Sequence, residues 1–220
     1  MSSNRILSRL SREDFALLEP HLEPVNLPVR KQIETPKKRI DQVYFIESGF
    51  ASVVANGTSK PSIEVGIIGR EGMTGLGVVL GNDRPPHETF VQVAGQAQRI
   101  SAAKLRAADE QSSTLHRAML RYAQTFLHQA TTTALANGRS KIEERLARWL
   151  LMAADRIDGE LPLTHEFLGL MLGTYRPGVT KAVQALEKEG LIAARRSAIT
   201  ILNRRALEKR SNGTYVPAKD

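Results

Sequence analysis

One segment near the C-terminal end, residues 163–202, constrains the fold of this chain more than any other. Its first part predicts a helix, because apolar residues recur at helical spacing after Thr164, a residue type that caps helix N-termini. Gly173 ends this helix, since glycine readily adopts the left-handed backbone conformation that follows many helices. The segment therefore opens with a short helix and a tight turn. The apolar positions of the first helix are Phe167, Leu168, Met171 and Leu172.

A second helix and a hairpin follow the turn. Pro177 stands in the first turn of the second helix, where its missing N–H is tolerated, and Gly190 ends the helix. Two short apolar runs, 191–193 and 199–202, are joined by the polar turn 195–197 and predict a β-hairpin. Helix, turn, helix and hairpin in this order are the layout of a winged helix-turn-helix. The inward face of the second helix is predicted to be Val179, Val183 and Leu186.

The outward face of the second helix carries side chains suited to reading DNA. A recognition helix contacts base edges with long or hydrogen-bonding residues near its N-terminus. Arg176 suits a bidentate contact with guanine, and Thr180 and Gln184 suit a base or a phosphate. Between positions 161 and 210 there are nine cations and four anions, a net charge of +5 within a chain of net charge +8. The predicted DNA contacts are Thr164, Tyr175, Arg176, Thr180, Lys181, Gln184, Arg195 and Arg196.

The alternative interpretation is an ordinary helical packing unit with a solvated basic face. Turn chemistry, apolar spacing and local charge agree with one another here, and such agreement favours the DNA-binding interpretation. A local excess of cations is also what binding to a phosphate backbone requires.

These residues resemble the DNA-binding domain of the catabolite-activator (Crp/Fnr) transcription factors. The resemblance rests on THEFLGLMLG at 164–173, YRPGVT at 175–180 and LEKEGLI at 186–192. It implies a homodimer that binds an inverted repeat in double-stranded DNA and that has RNA polymerase as a protein partner. One departure is Pro177, where better-studied members carry a glutamate that reads a base, so their base preference does not carry over.

Composition excludes several classes of function. The chain has 220 residues and no cysteine, which excludes disulfides, thiol nucleophiles and cysteine-held iron–sulfur clusters. No apolar run approaches the roughly 20 residues of a membrane span, so we expect a cytoplasmic protein without a membrane partner. The five histidines show no metal-binding spacing, and no metal or other cofactor is predicted.

The N-terminal half reads as a β-rich domain. Many short strands divided by Gly, Pro and Asn favour an antiparallel barrel or jelly roll. Two short helical patterns, 6–10 and 15–18, precede them, with Ser11 or Asp14 as possible caps. Beside the family likeness, YFIESGFASV at 44–53 resembles the strand–turn–strand signature of the cyclic-nucleotide-binding β-roll. The predicted strands are 25–27, 43–46, 51–54, 63–68, 90–93 and 98–100.

The glycine-rich residues 69–77 fall where nucleotide-binding relatives contact their ligand. There a Gly-Glu pair binds the ribose, and an Arg-Ser/Thr-Ala cassette neutralises the cyclic phosphate with help from a helix N-terminus. In this chain leucine stands where the glutamate belongs, and a carboxylate at position 88 would repel a phosphate. The resemblance therefore implies an effector other than cyclic AMP, or none. The candidate effector contacts in this region are Gly75, Leu76, His87, Glu88 and Thr89.

Residues 113–136 predict one long helix with a stripe at alternating spacings of three and four. Either this helix packs on its own domain, or it pairs with a second copy of itself, as the family resemblance implies. The predicted dimerisation residues are Leu115, Met119, Tyr122 and Phe126, with Ala123, Ala130 and Ala134 as small residues that allow close approach. Further candidate effector contacts, by analogy with relatives, are Gln129, Thr132 and Thr133.

The sequence predicts an α+β protein of three parts. An N-terminal β-roll (jelly roll) sensor domain covers residues 1–112, a dimerisation helix covers 113–137, and a winged helix-turn-helix covers 138–220. Asn137-Gly138 is interpreted as a helix-breaking hinge, after which Ser140 caps the next helix. The polar tail from Glu208 onward is expected to fray.

Two other classes of function were weighed. A β-roll enzyme of the cupin type lacks its metal ligands here, and no Ser/His/Asp or paired-carboxylate spacing stands out. A cyclic-nucleotide-responsive regulator, or a regulatory subunit that binds a nucleotide in the β-roll, is the main alternative. The basic recognition helix and the Arg195-Arg196 hairpin favour a DNA-binding regulator over both.

Overall fold

The computed structural model describes residues 2–56 and 62–218. These residues divide into two compact units. The first contains residues 2–54 and 67–128, and the second contains residues 55–56, 62–66 and 129–218. The domain boundaries expected at 112 and 137 stay predictions.

The first unit begins with short helices, α1 (Arg5–Ser8) and α2 (Arg12–Leu18), and a 3-10 turn at Glu19–His21. The fully buried Asn4 caps α1, since its side-chain oxygen accepts hydrogen bonds from the N–H groups of residues 6 and 7 at 3.0 and 3.2 Å. Ser11 caps α2. Of the two predicted caps for α2, the serine is therefore the one used.

Seven strands form two antiparallel sheets. Their orders are β1-β7-β3 and β2-β6-β4-β5. All six predicted strands are present, and β2 is an addition, because three residues interrupted by a register shift give no alternating pattern. The strands are β1 (Glu23–Leu27), β2 (Gln32–Glu34), β3 (Gln42–Ile46), β4 (Phe50–Ala55), β5 (Ile63–Ile68), β6 (Glu88–Val93) and β7 (Gly95–Ser101). This confirms an α+β fold with an N-terminal β-sheet domain.

Helices α3 (Leu76–Val79) and α4 (Ala102–Gln111) complete the β-sheet domain. Ser101 caps α4 by accepting a hydrogen bond from the N–H of Lys104. The α4 helix packs on β3 and β7, and its Leu105 is fully buried. The apolar core of this unit includes Val43, Phe45, Ile46, Phe50, Ile100 and Leu105.

The long helix α5 runs from Ser113 to Arg139 and does not break at Asn137-Gly138. The helix break predicted at this pair is wrong, because a single glycine costs a helix only about 1 kcal/mol relative to alanine, whereas a hinge between domains here stays a prediction. Helix α6 (Ile142–Ala154) follows after two residues. Its N-cap is Lys141, whose N–H donates to the Glu144 carboxylate at 2.9 Å, so Ser140 is not the cap.

The rest of the second unit is a helical domain with a hairpin. Helix α6 packs on the other three helices, and its Leu146 and Leu150 are fully buried. The remaining elements are α7 (His165–Leu172), α8 (Arg176–Lys188), β8 (Ile192–Arg195), β9 (Ala198–Ile201) and α9 (Arg204–Arg210).

The prediction that the tail frays from Glu208 is wrong for residues 208–218, since α9 continues to Arg210 and the N–H of Ala218 donates to the Asp155 carboxylate at 3.2 Å, while residues 219–220 lie outside the described part of the chain. Glu208 lies in α9, and Ser211 and Thr214 are buried. The hydroxyl of Tyr215 donates to the Asp155 carboxylate at 2.9 Å. The sequence gives no sign of this anchoring, because it joins residues 60 positions apart.

In the described part of the chain, no helix is both long and apolar enough to cross a membrane. The same residues contain no group of three or more His, Asp or Glu side chains placed to hold a metal ion.

Candidate nucleic-acid interface

The turn between α7 and α8 is built by local hydrogen bonds. Thr164 caps α7, since its hydroxyl accepts from the N–H of Phe167 at 3.2 Å. Gly173 has φ of 55° and ends α7, and the N–H of Thr174 donates to the carbonyl of Gly169 at 2.9 Å. A Cβ at position 173 would lie 2.8 Å from Cδ1 of Ile63, so another residue type would have to displace this methyl group and adopt a left-handed backbone. Three residues, 173–175, thus separate the two helices.

Helix α8 places its apolar and polar residues on opposite faces. Its buried face is Val179, Ala182, Val183 and Leu186, which contains all three predicted core residues. Tyr175 occupies the N-cap position and is 86% exposed. Four of the predicted DNA contacts, Tyr175, Arg176, Lys181 and Gln184, are therefore exposed together at and after the start of α8.

Thr180 differs from these four residues. It is half-buried, and its hydroxyl donates to the carbonyl of Arg176 at 3.1 Å. Nδ1 of His165 lies 3.2 Å from the same hydroxyl oxygen. The hydroxyl group is thus already engaged within the domain, which leaves it less available for a base than the sequence suggested.

The hairpin β8–β9 places two arginines at its tip. Arg195 pairs with Ala198 in the register, so Arg196 and Ser197 form a two-residue turn, and Ser197 has φ of 62°. Both arginines are exposed. The N–H of Ala194 donates to the Glu187 carboxylate at 2.8 Å, which fastens the hairpin to α8. The arrangement is that of a wing beside a recognition helix.

The charges on this surface are free to meet a phosphate backbone. Among the described residues, none forms an ion pair with Arg176, Lys181, Arg195 or Arg196. The cations of α9 differ, because Arg204 pairs with Asp155 at 2.5 Å. We refer to Tyr175, Arg176, Lys181, Gln184, Arg195 and Arg196 as the recognition surface.

Comparison with known proteins identifies this domain. The family model for the Crp-like helix-turn-helix domain matches residues 144–210. The second unit therefore contains a Crp-like helix-turn-helix domain. No curated protein has a significant sequence match with it.

Solved structures share the fold of this chain across most of its length. FixK2 from Bradyrhizobium japonicum is 17% identical, with a TM-score of 0.74 over 86% of this chain and 96% of that one. The CRP-family transcriptional regulator TTHB099 from Thermus thermophilus is 18% identical, with a TM-score of 0.73 over 89% of this chain and 100% of that one. The c-di-GMP-responsive global regulator CLP from Xanthomonas campestris is 17% identical, with a TM-score of 0.69 over 87% and 99% of the two chains. Identities this low establish the fold alone.

In the β-sheet domain, three of the candidate effector residues converge on Glu34. The carboxylate of Glu34 accepts hydrogen bonds from the N–H of Gly75 at 2.5 Å and from the Thr89 hydroxyl at 3.0 Å. Nε2 of His87 lies 3.3 Å from the same carboxylate. Glu34 itself is only 5% exposed. The carboxylate of Glu34 therefore already accepts the hydrogen bonds of the Gly75 N–H and the Thr89 hydroxyl.

No described hydrogen bond or ion pair joins the other two candidates in this region to Glu34. Leu76 is the first residue of α3, and Glu88 is the first residue of β6, where it pairs with Val54. Sequence reasoning missed Glu34 because it lies in the unpredicted strand β2. Its partners lie 41 and 55 residues away along the chain.

The burial of α5 corrects the predicted dimer face. Leu115 and Met119 are fully buried, Tyr122 is 7% exposed, and Phe126 is half-buried. The Tyr122 ring packs so closely on Gly72 that a Cβ there would lie 2.1 Å from its hydroxyl oxygen. These side chains face the interior of their own chain. The spacing could not reveal this, because helix pairs and helix-on-domain packing share the same period.

A second apolar stripe on α5 consists of exposed and half-buried side chains. Leu127 is 58% exposed, Leu120 is 38% exposed, and Ala134 is also exposed, whereas Ala123 and Ala130 are half-buried. These five residues alternate at three and four, and they lie about 90° around the helix from the buried stripe. We call Leu120, Ala123, Leu127, Ala130 and Ala134 the α5 stripe. It includes the three small residues that the sequence singled out.

The candidate effector residues late in α5 lie near a buried arginine instead. Thr133 is buried, and its hydroxyl accepts a hydrogen bond from Arg148 at 3.0 Å. The carbonyl of Gln129 accepts from the Thr133 hydroxyl at 2.9 Å and lies 3.4 Å from the guanidinium. Thr132 is half-buried. Their role toward an effector stays a prediction.

Proposed function

We propose that this chain forms a homodimer that binds an inverted repeat in double-stranded DNA and regulates transcription from a nearby promoter. The recognition surface carries the proposal, because it combines an exposed helix N-terminus with cations that no described carboxylate neutralises. RNA polymerase is then the expected protein partner. The proposal assigns no enzymatic activity to the chain.

The α5 stripe supports the dimer. The stripe is apolar, has heptad spacing, and carries alanine at three of its five positions. Because alanine is small, two copies of α5 can approach closely along a two-fold axis. A two-fold protein dimer matches a palindromic site whose half-sites are one helical turn apart, about 10 base pairs. The dimer face that we propose is thus the exposed stripe, in place of Leu115, Met119, Tyr122 and Phe126.

Glu34 supports the proposal that the effector is not cyclic AMP. A buried carboxylate held by Gly75 and Thr89 leaves their hydrogen bonds unavailable and repels a second anion. Titration calorimetry with cyclic AMP should give no binding heat. A micromolar isotherm would instead favour the cyclic-nucleotide-responsive alternative.

Selection of bound duplexes from a random DNA pool tests DNA binding directly. We expect an inverted repeat whose affinity falls steeply with salt, because each neutralised phosphate releases counterions. Footprinting should protect two half-sites about one helical turn apart. Recovery of no common sequence, with binding to every duplex alike, would contradict sequence-specific regulation.

The dimer face is tested by placing a charge on the α5 stripe. Leu127→Glu should weaken self-association by about 100-fold or more, because two carboxylates would meet near the two-fold axis in place of an apolar contact. Leu135→Glu is the matched control, since Leu135 is 53% exposed on the same helix but lies off the stripe. Analytical ultracentrifugation measures both. Equal dimerisation of the two variants would exclude this face.

A further inference from the structure

Arg148 connects three segments of the second unit. It lies in the middle of α6 and is only 6% exposed. Its Nε donates to the carbonyl of Thr214 in the C-terminal tail at 2.9 Å, and its terminal nitrogen donates to the Thr133 hydroxyl in α5 at 3.0 Å. One side chain thus joins the last turns of α5, helix α6 and the tail.

Arg148 is charged in spite of its burial, and its hydrogen bonds fix its position. Burial lowers the pKa of Arg148 to about 10, while the nearby Glu64 carboxylate acts in the opposite direction. Glu64 is itself buried and accepts a hydrogen bond from the indole N–H of Trp149 at 2.5 Å. A guanidinium with this pKa is protonated at neutral pH. A buried charge contributes little to the free energy of folding. We therefore attribute the presence of Arg148 to the one geometry that its hydrogen bonds impose on the segments they join.

Arg148 affects DNA binding through α6, the helix that contains it and that packs on the helix-turn-helix. Only two residues, Ser140 and Lys141, separate α5 from α6, and α6 packs on both helices of the helix-turn-helix. Arg145, one turn earlier, donates to the carbonyl of Leu172 at the end of α7. Whatever fixes α6 against the end of α5 therefore also fixes the recognition helix against residues 129–139, which include Ala130 and Ala134 of the α5 stripe.

We propose that Arg148 is a positioning residue that sets the separation of the two recognition helices and so the half-site spacing that the dimer accepts. This inference rests on the proposed function. A rigid attachment accepts one spacing, because inserting half a turn places the second half-site on the opposite face of the duplex. A loose attachment tolerates several spacings.

The experiment measures the affinity of the full chain for duplexes that carry the selected half-site in three forms. These are the selected inverted repeat, the same repeat with 5 base pairs inserted, and a single half-site. The wild-type chain should prefer the selected spacing by about 30-fold or more. Thr133→Val, which removes the hydroxyl that accepts from Arg148, should lower this ratio to about threefold and leave single-half-site affinity unchanged.

Two variants control for a merely structural effect. Thr133→Ser keeps the hydroxyl and should keep the wild-type ratio. Thr125→Val removes a hydroxyl whose only partner among the described residues is the carbonyl of Arg121 in α5, and it should also keep the ratio. Arg148→Met should reproduce the loss caused by Thr133→Val, which provides a second route if either variant folds poorly.

The outcomes separate the two proposals. If Thr133→Val and Arg148→Met keep the wild-type spacing ratio, the positioning role is overturned while sequence-specific binding stands. If the wild-type chain shows no preference for paired half-sites over a single one, the dimeric function itself fails and this inference fails with it. A loss of single-half-site affinity in Thr133→Val would also overturn it, because the effect would then lie in the helix-turn-helix fold.

Discussion

The recognition surface and the region around Glu34 use polar residues in opposite ways. On α8 and the wing, cations point outward and no described carboxylate pairs with them. Around Glu34, the N–H of Gly75 and the hydroxyl of Thr89 point inward to one buried carboxylate, and Nε2 of His87 lies 3.3 Å from it. The first arrangement leaves its interactions open to a partner, whereas the second satisfies them within the chain.

This difference shows why similar sequence signals can have different meanings. Both regions carry residues that the sequence predicted to bind a partner or ligand. An exposed cation without an ion-pair partner costs the free protein little stability, because water solvates it. A buried donor must find an acceptor in the folded chain, and here it has found Glu34. Four expected outcomes, from the largest effect to the smallest, test this contrast.

Removing the internal anion should have the largest effect. Glu34→Ala leaves the Gly75 N–H and the Thr89 hydroxyl buried without their acceptor, which should lower the free energy of unfolding by about 2–4 kcal/mol. Urea denaturation measures the loss. Glu88→Ala is the control, since Glu88 is half-buried at the start of β6, and it should change stability by less than about 1 kcal/mol. Equal stability of Glu34→Ala and the wild type would show that the hydrogen bonds to Glu34 do not contribute to the free energy of unfolding.

The contrast also explains how much the sequence could predict. Thr164 and Gly173 act within their own helix, so the helix-turn-helix followed from local rules. The anchor of the tail on Asp155 and the contacts of Glu34 join residues 41–60 positions apart, and no local pattern reports them. Helix α5 was predicted in full except for its last turn. Which of its two stripes faces the interior depends on the packing of the whole unit.

Arg176→Ala should have the next largest effect, on DNA binding. If Arg176 reads a base, its loss should weaken binding to the selected operator by about 1–3 kcal/mol and relax preference at one base pair. Affinity for random duplex DNA should fall much less. Fluorescence anisotropy on both duplexes measures this difference. Equal losses on the two would show that Arg176 contacts a phosphate.

Arg196→Ala should have a smaller and sequence-independent effect. Arg196 lies at the wing tip, where a cation meets the backbone, so operator and random DNA should lose affinity alike, by about 1 kcal/mol. The slope of log affinity against log salt should become shallower by about 1, because one fewer phosphate is neutralised. An unchanged slope would place the wing away from DNA.

Thr180→Val should have the smallest effect and marks where the recognition surface ends. The sequence predicted a DNA contact at Thr180, yet its hydroxyl donates to the Arg176 carbonyl and lies 3.2 Å from His165. Because valine keeps the shape of the side chain, operator affinity should change by less than about 0.5 kcal/mol, well below the effect expected for Arg176→Ala. Anisotropy on the operator duplex measures both variants side by side. A loss of affinity as large as that of Arg176→Ala would contradict this expectation if Thr180→Ser restores the affinity. The hydroxyl of Thr180 would then exchange its internal partners for DNA, and other hydrogen-bonded polar groups on α8 would also be candidates for DNA contacts.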